Sequence, residues 1–162
     1  MFHIACTRFT NTTYYENTEY RKNNDEVAIN GATLKIRNTY SPGALIFVAE
    51  MNNELNRIEG IGLIRNNIVS DKRHKIYTNG DYNRYIYRGN YWISREQLLH
   101  LDAEILEILD TVLFKGKSNL KNRLGITVLS DRLFSHWVYE LPILKSKVKK
   151  AFLKEYRYCE LE

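Results

Sequence analysis

Tyr40-Ser-Pro-Gly-Ala-Leu-Ile-Phe-Val-Ala-Glu50 and, closely following it, Ile58-Glu-Gly-Ile-Gly-Leu-Ile64 decide how this chain folds. Ser41-Pro42-Gly43 is a turn, because proline presets its own φ and glycine accepts the positive φ that follows. Ala44 to Ala49 is apolar without alternation, the pattern of a strand buried on both faces. Asn52 to Asn56 reads as a hairpin loop. Arg57 to Arg65 then returns as a strand, in which Gly60 and Gly62 indicate a bulge or a tight bend.

Working outward toward the N-terminus, Phe2 to Arg8 reads as an apolar opening strand. Asn11 to Asn24 is polar and tyrosine-bearing, and suits a short helix with Thr12 or Thr13 as N-cap and Glu16 at N3. Ala32 to Ile36 alternates as a short strand. On the other side, His74 to Tyr77 and the Asn79-Gly80-Asp81 turn lead into a strand over Tyr82 to Tyr87. Gly89-Asn90 turns again before Tyr91 to Ile93.

Beyond residue 93 the texture becomes helical. Ser94 and Gln97 have the spacing of a capping box. Asp102 starts a second helix whose stripe is Ile105, Leu106, Leu109, Val112 and Leu113. Leu124 to Leu129 is a strand, and Ser130 to Val138 a capped turn or short helix. After Pro142 a final amphipathic helix carries Leu144, Val148, Ala151, Phe152 and Tyr156 on one face. Lys145, Lys147, Lys149, Lys150 and Lys154 occupy the rest, as on a solvated surface helix.

The 162 residues, 44% hydrophobic and 27% charged, suit one ordinary globular domain. No linker or repeat divides them, so residues 1–162 are expected to form a single α+β domain. The formal charge of +5 attracts polyanions, DNA or RNA among them. No segment reaches the ~18 apolar residues of a membrane span, and Met1 to Ala5 lacks the basic, then apolar, build of a signal peptide. Cys6 and Cys159 stand too far apart in sequence to form a CxxC site. A cytoplasmic or nuclear, reducing compartment is the expectation. Richness in Asn, Lys, Ile and Tyr is what an A/T-rich coding sequence produces, in a virus or an A/T-rich microbe.

The Tyr40–Glu50 and Ile58–Ile64 pair resembles the centre of PUA-like domains, particularly the EVE and YTH branches, where a Gly-led buried strand precedes one of Val/Ile-Gly-Ile-Gly type. The order of elements over residues 2 to 139 is similar too, with Arg123 to Arg132 resembling the closing strand and turn. The resemblance implies a small β-barrel or strongly curled sheet with peripheral helices, and a nucleic-acid or modified-base binder. It places a pocket near the end of the first strand and the start of the central pair. Thr7, Arg8, Asn30 and Glu50 then surround an opening, with rings from the Tyr87 to Trp92 region. Asn30 and Glu50 would read a base edge and Arg8 would meet a phosphate. EVE and YTH domains hold their base in an aromatic cage, and neither Trp92 nor Trp137 is matched to a cage position. The Gly-Lys-Glu-Arg signature of the ASCH branch is absent.

The residues themselves point the same way by a separate route. Tyr82, Tyr85, Tyr87 and Tyr91 interleave with Arg84, Arg88 and Trp92, and rings with cations suit stacked bases and phosphates. The same pattern fits a half-buried strand whose tyrosines pack inward. Lys115, Lys117, Lys121 and Arg123 form a basic segment suited to a phosphate backbone, or to an ordinary solvated turn. Its Gly116-Lys117-Ser118 is no phosphate loop: Thr111 stands where the first glycine is required, and a helix rather than a strand precedes it. His3, His74, His100 and His136 show no metal spacing. No nucleophile elbow occurs. The expectation is a nucleic-acid-binding module without cofactor, metal or catalytic residues. The alternative is a protein-interaction or structural adaptor with a tyrosine-rich surface.

Overall fold

The computed structural model describes residues 1–157; Cys159 lies outside them. Seven strands and four helices follow the order β1 (Phe2–Phe9), α1 (Asn11–Asn23), β2 (Ala28–Ala32), β3 (Leu45–Asn52), β4 (Arg57–Arg65), β5 (Tyr85–Gly89), β6 (Tyr91–Ser94), α2 (Arg95–Phe114), β7 (Thr127–Val128), α3 (Asp131–Phe134) and α4 (Leu141–Glu155). The architecture is α+β. The strands pair in a five-stranded sheet, β6-β4-β3-β1-β7, and a two-stranded sheet, β2-β5. β1 runs parallel to β3, with Thr7 opposite Glu50, and the β3–β4 hairpin is antiparallel.

The expected β3 is buried on both faces, and β4 has the bounds that its glycines and flanking arginines indicate. The register slips between Glu50 and Met51, because Glu50 faces Gly60 while Met51 faces Ile58. Glu59 is the extra residue of that bulge. The backbone of Ile58 is held from α2 instead: its N–H donates to Asp110 and its carbonyl accepts from Arg95.

Alternation along the strands separates two faces. Ile4, Cys6, Phe47, Ala49, Ile61 and Leu63 pack against α2 and α4 through Ile105, Leu109, Leu144, Val148 and Phe152, forming the main core. Ala5, Ile46, Val48 and Ile64 face the other way, onto Tyr87 and Ile36. The β2-β5 pair lies over that second face. Gly89 meets β4 so closely that a Cβ there would sit 1.7 Å from the Leu63 carbonyl oxygen.

Several local expectations are corrected. α1 is capped by Thr10, in a reciprocal box with Thr13, rather than by Thr12 or Thr13 with Glu16. Glu16 accepts instead from the backbone and hydroxyl of Thr78. β2 ends at Ala32, where the expected strand was to begin, because its partner β5 reaches only that far. Residues 80–83 form a 3-10 turn rather than strand: Asn79 caps Asp81, and Asn83 clasps the backbone of Ile76 and Tyr77. Of Leu124 to Leu129 just Thr127–Val128 is strand, bonded to Ala5 and Cys6. The break at Asp102 is present, with non-helical backbone and the carboxylate accepting from Glu104 N–H. Tyr156 extends the final helix's apolar face, and its hydroxyl donates to the Trp92 carbonyl on edge strand β6.

Candidate functional site

The second sheet face changes character along its length. It is apolar at Ala5, Ile46 and Val48, then polar at Thr7, Glu50 and Asn52 toward the carboxyl ends of β1 and β3. Buried polar side chains normally need partners, so this end of the face is the candidate site. α1 lies over it and contributes Tyr14, Asn17 and Arg21.

Glu50 is the centre of the buried part, with 2% exposure. Trp92 Nε1 donates to its Oε1 at 2.9 Å and the Tyr14 hydroxyl donates at 3.4 Å. The guanidinium of Arg21 covers the Trp92 ring at 4.5 Å from its centroid. On the opposite side the indole presses on Gly60, where a Cβ would come within 2.7 Å of Cζ2. Gly62 meets the same ring, so the two glycines of β4 form the slot that receives Trp92. Burial raises the Glu50 pKa; Arg21 and the hydrogen bonds from Trp92 and Tyr14 oppose that shift. The Tyr14 hydroxyl is raised by burial and by Glu50.

Beside this cluster an opening of about 270 Å³ reaches the surface. Thr7, Arg8 and Phe9 line it from the end of β1, and Thr10 and Thr13 from the start of α1. The end of β2 and the residue after it supply Gly31 to Thr33, the β3–β4 turn supplies Asn53, and Leu124 and Gly125 complete the lining. Tyr82 forms the exposed aromatic side of the opening, with Tyr77 buried behind it, edge to face at 6.1 Å between centroids. Tyr77 is also the link inward, because its hydroxyl accepts from Asn17 Nδ2 at 3.0 Å. Gly31 makes room for this wall: a Cβ would lie 2.2 Å from the Tyr82 carbonyl oxygen.

Of the residues singled out in the sequence, Thr7 and Arg8 line the opening. Glu50 and Trp92 are brought together, but onto each other rather than at the opening. Asn30 is 1% exposed on the β2 face shared with Ala28 and Ala32, and its Oδ1 has no hydrogen-bond partner. Tyr87 is a core residue whose hydroxyl accepts from the Ile36 N–H. Tyr85 is half-buried against the same core, with Lys35 over its ring. Arg84 pairs with Asp81, and Arg88 with Glu26 and Asp71. Lys115, Lys117 and Arg123 are exposed, and Lys121 is half-buried beside the opening, its carbonyl bonded to Arg8 and Asn53.

Phe9, Thr10, Thr13, Asn53 and Tyr77 were not foreseen. The only sequence signal for Tyr77 is its neighbour Asn83, a residue type that clasps turns. Cys6, which faces the main core, has its pKa pushed up to about 12 by burial and is a poor nucleophile. Among the described residues no helix is long and apolar enough to cross a membrane. Comparison with family models, with curated proteins and with solved structures finds no match in any of the three.

Proposed function

We propose that this chain is a nucleic-acid-binding module that takes an unpaired or flipped base, modified or unmodified, into the opening between β1, α1 and the Tyr77–Tyr82 wall. The observation that carries the reading is the opening itself, a concavity with a cation, hydroxyls and two aromatic rings at the end of the first strand. Bases stack on rings and present polar edges, so both features have a use. The basic segment Lys115 to Arg123, exposed at Lys115, Lys117 and Arg123, leads into Leu124 of the opening, which supports a role in following the phosphates of a bound strand. The PUA-like resemblance of the central strand pair agrees with this reading, and a barrel-like closure of the β2-β5 pair over β4 belongs to the same proposal.

A tyrosine-rich adaptor surface has less support. Tyr85 and Tyr91 are half-buried and Tyr87 is buried, which leaves Tyr82 as the exposed ring of that cluster. The two readings separate by fluorescence anisotropy with single-stranded DNA and RNA oligonucleotides. Affinity should fall steeply between about 50 and 200 mM salt, as bound cations are displaced. Absence of binding at the lower salt, or binding indifferent to salt, would overturn the proposal.

A further inference from the structure

Three side chains of α1 hold residues 74–78 against the fold. The Tyr20 hydroxyl bonds to His74 Nδ1, the Asn17 amide donates to the Tyr77 hydroxyl, and Glu16 accepts from the backbone and hydroxyl of Thr78. His74 is 1% exposed, and its other ring nitrogen meets Asp71 at 3.3 Å. The residues on either side of it, Arg73 and Lys75, are both exposed. Among the described residues neither has a side-chain hydrogen bond or an ion pair. Nearby arginines are committed, Arg84 to Asp81 and Arg88 to Glu26 and Asp71.

Arg73 and Lys75 line a second concavity of about 470 Å³, together with Glu16, Tyr77, Gly80 and Asn83 among others. Tyr77 lines the first opening as well, and Tyr82 of that opening belongs to the same 3-10 turn as Gly80 and Asn83. That turn is therefore the ridge between the two concavities. Glu16 is the carboxylate of the second one, and its Oε2 is already taken by Thr78. A buried, twice-bonded histidine fixes the chain between two unpaired cations, so little order remains to be imposed when an anion arrives. A strand whose base enters the first opening has phosphates on both flanks. The Lys115 to Arg123 segment reaches the opening through Leu124, and the ridge reaches it through Tyr82. We infer that Arg73 and Lys75 bind two phosphates on one flank of that base, in the groove beyond the Tyr82 ridge. His74 positions them. The inference rests on the first opening's taking a base.

The test uses the whole chain, the double variant Arg73→Ala/Lys75→Ala, and single-stranded oligonucleotides titrated with salt. Each phosphate contact on a single strand contributes about 0.7 to the slope of log affinity against log salt, so the double variant should lose about 1.4 from that slope. Its deficit against wild type should accordingly be about sevenfold larger at 50 mM than at 200 mM salt. Both side chains are exposed and unpaired, so the thermal melt should not move. A second arm leaves the protein unaltered and neutralises the strand, with methylphosphonate linkages on the 5′ or the 3′ side of one central base. Wild type should weaken with either strand, and the double variant should be indifferent to neutralisation on one of the two sides. A slope equal to that of wild type, or equal sensitivity of variant and wild type on both sides, overturns the groove while leaving base binding intact. Failure of wild type to bind any strand overturns the reading of the opening, and the groove with it.

Discussion

Trp92 donates its indole N–H to Glu50 at 2.9 Å from a strand two places away in the sheet, across Gly60. The bond places a buried carboxyl, an indole and the Arg21 guanidinium in one stack, and gives both glycines of β4 a purpose. Trp92→Phe keeps a ring in the slot but removes the donor. Leaving a buried carboxyl short of a partner costs about 1–3 kcal/mol. Urea unfolding at neutral pH should show that loss; a variant within experimental error of wild type would mean that the bond contributes nothing to the fold.

Gly60→Ala attacks the same stack from the other side. Its methyl would meet Trp92 Cζ2 at 2.7 Å and the Ile93 carbonyl oxygen at 2.9 Å. The backbone oxygen cannot retreat without disturbing the β4–β6 ladder, so a loss of about 1–3 kcal/mol is expected. Because Phe vacates part of the indole's space, the loss from Gly60→Ala should be smaller in a Trp92→Phe background. A double-mutant cycle measures the coupling, and strict additivity would place the two residues out of contact.

Glu50 gives stability a pH dependence of definite sign. Burial raises its pKa above the ordinary value of 4.5, so the folded protein holds this proton more tightly than the unfolded chain. Its contribution is therefore full below 4.5 and declines as pH rises through the higher folded value. Glu50→Gln removes the titration. The stability of the variant relative to wild type should increase from pH 4 toward neutrality, as read by urea midpoints at a series of pH values. A difference that stays flat or runs the other way would contradict the raised pKa.

Tyr77 serves the fold and the opening through different atoms. Tyr77→Phe removes the hydroxyl that accepts from Asn17, at a cost of about 1 kcal/mol, but keeps the ring in the wall. Oligonucleotide affinity should then stay within about threefold of wild type, whereas Tyr82→Ala, which removes the exposed ring in front of it, should lose about tenfold or more with the stacking surface. A loss in Tyr82→Ala no greater than that in Tyr77→Phe would rule out the exposed ring as the stacking surface.

What the sequence made legible was what neighbouring residues decide. The ends of β4, the Ser94–Gln97 capping box and the break at Asp102 depend on local chemistry, and each was readable. β2 and β5 were displaced from their expected positions because strand limits depend on a partner more than fifty residues distant, which periodicity does not see. The site divided in the same way. Thr7 and Arg8 were named because the resemblance to PUA-like domains implies a pocket at the end of the first strand, and both line the opening. Asn53 and Tyr77 were not, since one sits in an ordinary-looking turn and the other on an excursion that folds back onto α1. Trp92 and Tyr87 were chosen for their rings, and the bonds that tie half-buried Trp92 to Glu50 and buried Tyr87 to Ile36 come from long-range packing.

The placement of β1 also bears on the order in which the molecule assembles. The first strand pairs with β3, about forty residues later, and with β7, more than a hundred residues later. During synthesis the opening segment must wait, apolar and unpaired on one edge, until Thr127 and Val128 have emerged. The β3–β4 hairpin is the local unit and can form meanwhile, presenting the edge onto which β1 docks. Such late, long-range closure slows folding and leaves the nascent chain open to association. Translation halted before residue 127 should therefore yield a product that retains the hairpin yet clings to chaperones through Phe2 to Phe9.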